Sequence, residues 1–330
     1  MVKKFEDSPS PKRLADVSGQ KVPKSDMCPI KAKQGKKEKA KLSHLPSAFC
    51  HLPSRAKPVK PLTVLMGVYN GETYLSEAIA SILNQTFSDF DFLIINDAST
   101  DATGTILEKF AQQDSRIKII TNDQNYGLAY SLARGVEVAQ TSWIARMDAD
   151  DIAIRDRLAK QMKYLAENPE IDILGGYALN INEQGEILGT RKVPISNQKI
   201  TQFIWTNPLI HPTVLFRRSA ILNIGSYSDK VRKRIPEDYH LWFRACAAGL
   251  QFANLPEPLI YYRFSEENFV RNNLQFLLAH VLIGWQGCWL VKASPWAYLG
   301  VTKPLVLGIL PPSIRYLVYN WLKQFDPRSK

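Results

Sequence analysis

The chain has 330 residues, of which 45% are apolar and 22% charged, so it can bury a sizeable core and is too apolar to be disordered throughout. Its formal charge of +11 is uneven: Lys and Arg outnumber Asp and Glu by 15 to 5 in residues 1–60 and by 7 to 1 in residues 270–330, but residues 61–269 hold 20 against 25. A mildly acidic body argues against nucleic acid as a partner. Cys28, Cys50, Cys246 and Cys288 lack the short paired spacings of a zinc site or a disulfide framework, which fits a reducing compartment.

Residues 1–60, rich in Lys, Ser and Pro and without an apolar signal core, read as a basic disordered tail. A solvated linker is its plain interpretation, with an electrostatic membrane anchor or a targeting segment as alternatives. From Pro61 the pattern alternates. Leu62 to Val68 is an apolar run of strand length, and Leu75, Ala78, Ile79, Ile82 and Leu83 form a helical stripe. Phe92 to Ile95 is a second strand, Ile106, Leu107 and Phe110 mark a second helix, and Ile117 to Ile120 a third strand. Leu128 to Val138 is a third helix, and the strand Trp143 to Met147 runs straight into Asp148-Ala149-Asp150-Asp151. Three βα units and a further strand predict a parallel, doubly wound sheet. A helix with Leu158, Met162 and Leu165, a strand at Ile171 to Leu174 and a hairpin turning at Gln184-Gly185 follow, giving a mixed second half. Phe276 to Val291 and Ala297 to Leu310 are apolar runs, each short of the roughly 18–20 residues a spanning helix needs. Being Trp-rich and basic as well, residues 270–330 read as a helical segment lying in a membrane interface; a true span or re-entrant hairpin and an ordinary helical subdomain are the alternatives.

In an open parallel sheet, ligands bind beyond the carboxyl ends of the strands, which singles out Tyr69-Asn70, Asp97, and Asp148 with Asp150. Two carboxylates two positions apart in extended chain project to one side and suit Mg²⁺ or Mn²⁺, ions that complete their shells with substrate phosphates. In Asp97-Ala98-Ser99-Thr100-Asp101 the last three residues are good helix caps; capping does not account for Asp97. Glu237 and Asp238 precede a helix with Leu241, Trp242, Ala245 and Leu250, where acids either complement the helix end or serve as a general base.

Taken in order, Val68-Tyr69-Asn70, Asp97 to Asp101, Asn125-Tyr126-Gly127-Leu128-Ala129, Met147-Asp148-Ala149-Asp150-Asp151 and Glu237-Asp238 resemble the motifs of the family 2 glycosyltransferases. His211-Pro212-Thr213-Val214-Leu215-Phe216-Arg217 is similar to a segment of bacterial members. The resemblance spans Thr63 to about Arg263 and implies a GT-A-like α/β fold, a parallel-to-mixed sheet flanked by helices. Residues 61–151 would be its nucleotide-binding half and residues 152–269 its acceptor half. It further implies Tyr69, Asn70, Asp97 and Asp148 at the nucleotide sugar, Asp148 and Asp150 at Mg²⁺ or Mn²⁺, and Asp238 as the base of an inverting transfer. Trp205, His211 and Glu237 would border the acceptor. The implied donor is a nucleotide-diphosphate sugar, a UDP-sugar foremost. The implied acceptor is a glycan or lipid-linked hydroxyl in polysaccharide or glycolipid synthesis, met in the cytoplasm at the inner face of the plasma membrane. Asn96 stands where many relatives carry Asp, and the Gln-x-x-Arg-Trp sequence of processive relatives is absent, which favours transfer of single sugars. A non-catalytic nucleotide-sugar-binding protein and a sugar nucleotidyltransferase are the competing readings; the latter expects a Gly-rich phosphate loop that Gly67 and Gly71 do not make.

Overall fold

The structure, a computed structural model, describes residues 60–228, 236–264 and 274–309. The basic tail up to residue 59, the run Arg232-Lys233-Arg234 and residues 310–330 lie outside the described residues.

The expected alternation is present. Strands β1 (Leu62–Val68), β2 (Phe90–Asn96), β3 (Ile117–Thr121) and β4 (Trp143–Met147) are separated by helices α1 (Leu75–Leu83), α2 (Thr103–Gln113) and α3 (Leu128–Val138). They pair in parallel in the order β3-β2-β1-β4. Beyond β4 the chain forms β5 (Ile152–Ala153), α4 (Arg157–Glu167), β6 (Ile173–Ile181), β7 (Ile187–Arg191), α5 (Asn197–Gln202), β8 (Leu215–Arg217) and α6 (Arg218–Asn223). Helix α7 (Glu237–Ala247), strand β9 (Phe252–Arg263), and helices α8 (Leu274–Leu290) and α9 (Pro295–Ile309) complete it. Strand β8 lies antiparallel to β4 and extends the sheet through β6, β9 and β5, while β7 hangs on β6 as a hairpin. The two halves read from the sequence therefore share one sheet. Strand β6 starts later and runs farther than its apolar segment suggested, because its register with β9 continues to Ile181↔Arg263.

Side chains of β1 and β2 alternate between two buried layers, as a strand covered on both faces requires. Val64, Met66, Phe92 and Ile94 face the layer that α1, α2 and α4 cover, with Leu107 and Leu158 in it. Leu65, Leu93 and Ile95 face the other, which α3, α6, α7, α8 and α9 cover. That second layer takes in Val281, Ile283, Cys288, Ala297 and Val301, so one side of the C-terminal helices belongs to the core.

Helix α3 seats itself on β1 through Gly135, where an added Cβ would collide with the Leu65 side chain, itself fully buried. Replacing Gly135 with Val forces both elements apart in a closed core, and overpacking of this kind costs about 1–3 kcal/mol. Urea unfolding of Gly135→Val is expected to show that loss; wild-type stability would mean that α3 packs differently.

Candidate active site

The loops after β1 and β2 are knitted together. Asn70, in a left-handed conformation at φ 50°, donates its backbone N–H to Ser99 Oγ at 3.0 Å and accepts from the Thr100 N–H on Oδ1 at 2.8 Å. Asp101 accepts from the Thr103 N–H at 3.0 Å, as a residue opening α2 should, and Asn96 Oδ1 accepts from the Ser99 N–H at 3.0 Å. An amide at position 96 thus braces the turn. Tyr69 projects from this edge, 49% exposed.

Asp97 is buried, and its carboxylate organises the next loop: Oδ1 accepts from Asn122 Nδ2 at 2.6 Å and the Tyr126 N–H at 3.0 Å, and Oδ2 from the Gly127 N–H at 2.7 Å. Gly127, at φ 96°, supplies the turn into α3. Three accepted bonds use most of the four acceptor positions of Asp97 and hold its carboxylate in place. Asn122 and Tyr126 were not recognisable from spacing alone, since nothing in the sequence marks two loops as neighbours.

Asp148, Asp150 and Asp151 follow β4, and one carboxylate oxygen from each comes within 4.8 Å of the others. The segment is stretched between β4 and β5 and stapled by Arg263. That residue donates its N–H to Asp151 Oδ1 at 2.8 Å and Nε to the Asp150 carbonyl at 3.0 Å. Its Nη1 reaches the Asn182 and Glu183 carbonyls and its Nη2 Glu77, with the guanidinium lying over the Tyr74 ring. Asp151 is buried, and its Oδ2 has no hydrogen-bond partner among the described residues. Burial, then the charges of Asp148 and Asp150, push its carboxyl well above the usual carboxylate range. Asp150 is exposed at the rim, yet protein crowds it enough that burial, then the Asp148 charge, pushes it up to about 6. Asp150 and Asp151, which resist ionisation beside Asp148 and the second of which has an orphaned oxygen, complete a donor set that Mg²⁺ or Mn²⁺ would relieve.

Arg146, in the middle of β4 and 2% exposed, was missed by the sequence reading, although a cation inside the run Trp143 to Met147 was there to be noticed. Strand periodicity places it on the same side as Asp148, with which it forms an ion pair. Its charge also acts on Tyr227 and Glu237. Because β8 runs antiparallel to β4, the turn at His211–Thr213 arrives beside the end of β4. His211 is buried there and held neutral by burial and by the Arg146 charge. Its Nε2 meets the Tyr227 hydroxyl at 2.8 Å, and its Nδ1 lies 3.7 Å from Glu237 Oε1. Glu237 is pushed up to about 7 by burial and then by Asp238. Asp238, at the start of α7, accepts from the Tyr239 N–H at 2.7 Å on Oδ1 and from Asn207 Nδ2 at 2.9 Å on Oδ2. Asp148, Tyr227, His211 and Glu237 therefore gather in the field of Arg146, with Asp238 next to Glu237 at the start of α7. Trp205 sits beneath α9: its ring fills the space that a Cβ on Gly300 would need, and its carbonyl accepts from the Tyr239 hydroxyl at 2.6 Å.

The family model described as Glycosyl transferase family 2 matches residues 63–225. EpsE of Bacillus subtilis, designated a glycosyltransferase, is 32% identical over 254 residues, covering 77% of this chain and 91% of that protein. An Escherichia coli UDP-Gal:alpha-D-GlcNAc-diphosphoundecaprenol beta-1,3-galactosyltransferase is 25% identical over 270 residues, covering 78% of this chain and 94% of its own length. Among solved structures, the mannosyltransferase PcManGT of Pyrobaculum calidifontis, in complex with GDP-Man and Mn²⁺, aligns with a TM-score of 0.54 at 16% identity over 80% of each chain, a likeness of fold. With the strand-end carboxylates and the acidic pair of α7 in the order that the family pattern requires, the chain belongs to the family 2 glycosyltransferases.

Proposed function

We propose that this glycosyltransferase moves one sugar from a nucleotide-diphosphate donor, a UDP-sugar foremost, to an acceptor hydroxyl with inversion. The observation that carries the proposal is the convergence of Asp148, Asp150 and Asp151 at the end of β4, with buried Arg146 paired to Asp148 and Glu237 of α7 within its field. Tyr69, Asn70 and Asp97 border the nucleoside side, the first exposed for stacking and the last held in place by three accepted bonds. Asp148 and Asp150 hold Mg²⁺ or Mn²⁺, an ion that when bound stabilises the negative charge of the departing diphosphate. PcManGT, bound to Mn²⁺ and a nucleotide sugar, shares the fold, which supports this assignment.

Asp238 is the general base. As the acceptor oxygen bonds to the anomeric carbon and the bond from that carbon to the diphosphate breaks, the hydroxyl proton passes to the Asp238 carboxylate. No enzyme nucleophile takes part. Asn207 and the Tyr239 N–H fix the carboxylate while leaving each oxygen a further lone pair. A second reading gives this task to Glu237, whose carboxyl at about 7 matches a base at neutral pH. Its side chain, however, is turned toward buried His211 and is only 18% exposed. The acceptor is a glycan or lipid-linked sugar bordered by Trp205, His211 and Glu237, in polysaccharide or glycolipid synthesis, with the enzyme peripheral at the inner face of the plasma membrane. The Escherichia coli relative, named for a diphosphoundecaprenol-linked acceptor, supports that choice.

Three outcomes are expected. Asp150→Ala loses Mn²⁺-dependent donor affinity in calorimetry while remaining folded; undiminished affinity removes Asp150 from the metal site. Asp238→Asn loses turnover on the order of 10²-fold or more with donor binding nearly unchanged, and Glu237→Gln loses less. The reverse ranking in transfer assays assigns the base to Glu237. Arg146→Met breaks a buried ion pair, and since the Asp148 side chain is 25% exposed the expected loss lies toward the low end of about 3–5 kcal/mol. Chemical unfolding reads it, with Arg146→Lys recovering part; no loss would mean that the pair is not needed to hold the site.

A further inference from the structure

Helices α8 and α9 lie beyond the part of the chain that the family model matches, and each has two unlike sides. The inner side of α8 carries Val281, Ile283 and Cys288 into the core, and that of α9 carries Ala297 and Val301. On its outer side α8 exposes Leu278 at 44%, Leu282 at 61%, Trp285 at 47% and Trp289 at 77%. Those positions are spaced by four, three and four residues, one continuous stripe on a helix. Helix α9 exposes Trp296 at 76%, Leu299 at 63% and Val306 at 49%, again along one stripe. Scattered apolar residues on a surface need no explanation, but two adjoining stripes of this size mark an interaction surface.

From the structure we infer that these two stripes seat on an anionic lipid bilayer, with α8 and α9 lying in its interface. Among the described residues no helix is long and apolar enough to cross a membrane, and stripes along one side of a helix suit insertion along the interface. Residues 274–309 hold no Asp or Glu, and the exposed Lys292 gives the surface a charge that suits anionic headgroups. Lys292 sits in the turn between the helices, flanked by exposed Trp289 and Trp296, and indole rings favour the headgroup level. A second copy of the chain fits less well: a two-fold interface sets a patch against itself and would bring the exposed Lys292 of each copy toward the same surface.

The inner side gives the docking a consequence for the proposed reaction, and this part rests on the reading of Asp238 as base. His280 of α8 stacks on Tyr239, the residue after Asp238, with ring centroids 4.7 Å apart and planes within 7°. Gly284 leaves room for the Tyr239 hydroxyl, Gly287 for the Phe243 ring and Gly300 for Trp205. The helices that would meet lipid are thus back to back with the start of α7, which places Asp238 close behind the docked face.

The test uses the full chain and vesicles of phosphatidylcholine with or without phosphatidylglycerol, read by sedimentation, with donor calorimetry run beside it. The wild type is expected to pellet with the anionic vesicles, and Trp289→Ser/Trp296→Ser to bind them at least about tenfold more weakly at unchanged donor affinity. Protein that stays in the supernatant overturns the inference, as does a double variant that binds like the wild type. A lipid-free dimer that the double variant abolishes, without vesicle binding, overturns it in favour of a contact between copies. Vesicle binding requires neither donor nor acceptor, so a protein that docks but transfers no sugar would refute the catalytic reading alone.

Discussion

Arg146 is a charged side chain in a strand whose neighbours Ile144, Ala145 and Met147 are buried and apolar, and such a burial costs several kcal/mol unless other groups answer the charge. Here Asp148 answers it directly, with Tyr227 and Glu237 also in its field. The same guanidinium helps to keep His211 neutral and moderates the upward push on Asp150 and Asp151. Acids reach it from β4 and from the start of α7, and one fixed cation between them sets their relation before any ligand binds. Preorganised charge of this kind stabilises a transition state without reorganisation at the moment of reaction.

A second buried cation supports the first. Arg157, fully buried at the head of α4, donates Nη2 to the Arg146 carbonyl at 2.8 Å and Nε to Gln161 Oε1 at 3.1 Å. Burial, then the Arg146 charge, pulls it down to about 9. Gln161 in turn donates to the Leu174 and Thr213 carbonyls, so α4 is tied to β6 and to the turn that carries His211. The hydrogen bonds of Arg157 and Gln161 under the end of β4 give the acidic loop a floor. Arg263 clamps it from the other side, and the three carboxylates are left to converge rather than spread apart.

The C-terminal helices present two unlike sides. Small residues at 284, 287 and 300 let α8 and α9 approach aromatic rings closely, which binds them to the protein on one side. Tryptophans and leucines occupy the other. Composition alone described this segment as apolar, Trp-rich and basic; only its packing divides those residues between core and surface.

Local pattern sufficed for the parallel half of the sheet. The runs at Leu62–Val68, Leu128–Val138 and Trp143–Met147 coincide with β1, α3 and β4, because buried strands and amphipathic helices write their periods directly into neighbouring residues. The order of acidic motifs was legible for the same reason: each sits at a strand end or a helix start. What distinguished Asp97 from an ordinary cap was not legible, since its partners Asn122, Tyr126 and Gly127 lie in another loop. Nor could spacing show that Arg146 and Glu237, 91 residues apart, share one field, or that His280 stacks behind Asp238. The sequence by itself determined which residues carry charge and which elements present them. Tertiary structure alone decided which charges meet, because the energy of a buried charge depends on the partners and the solvent around it, and those are set by the packing of distant segments.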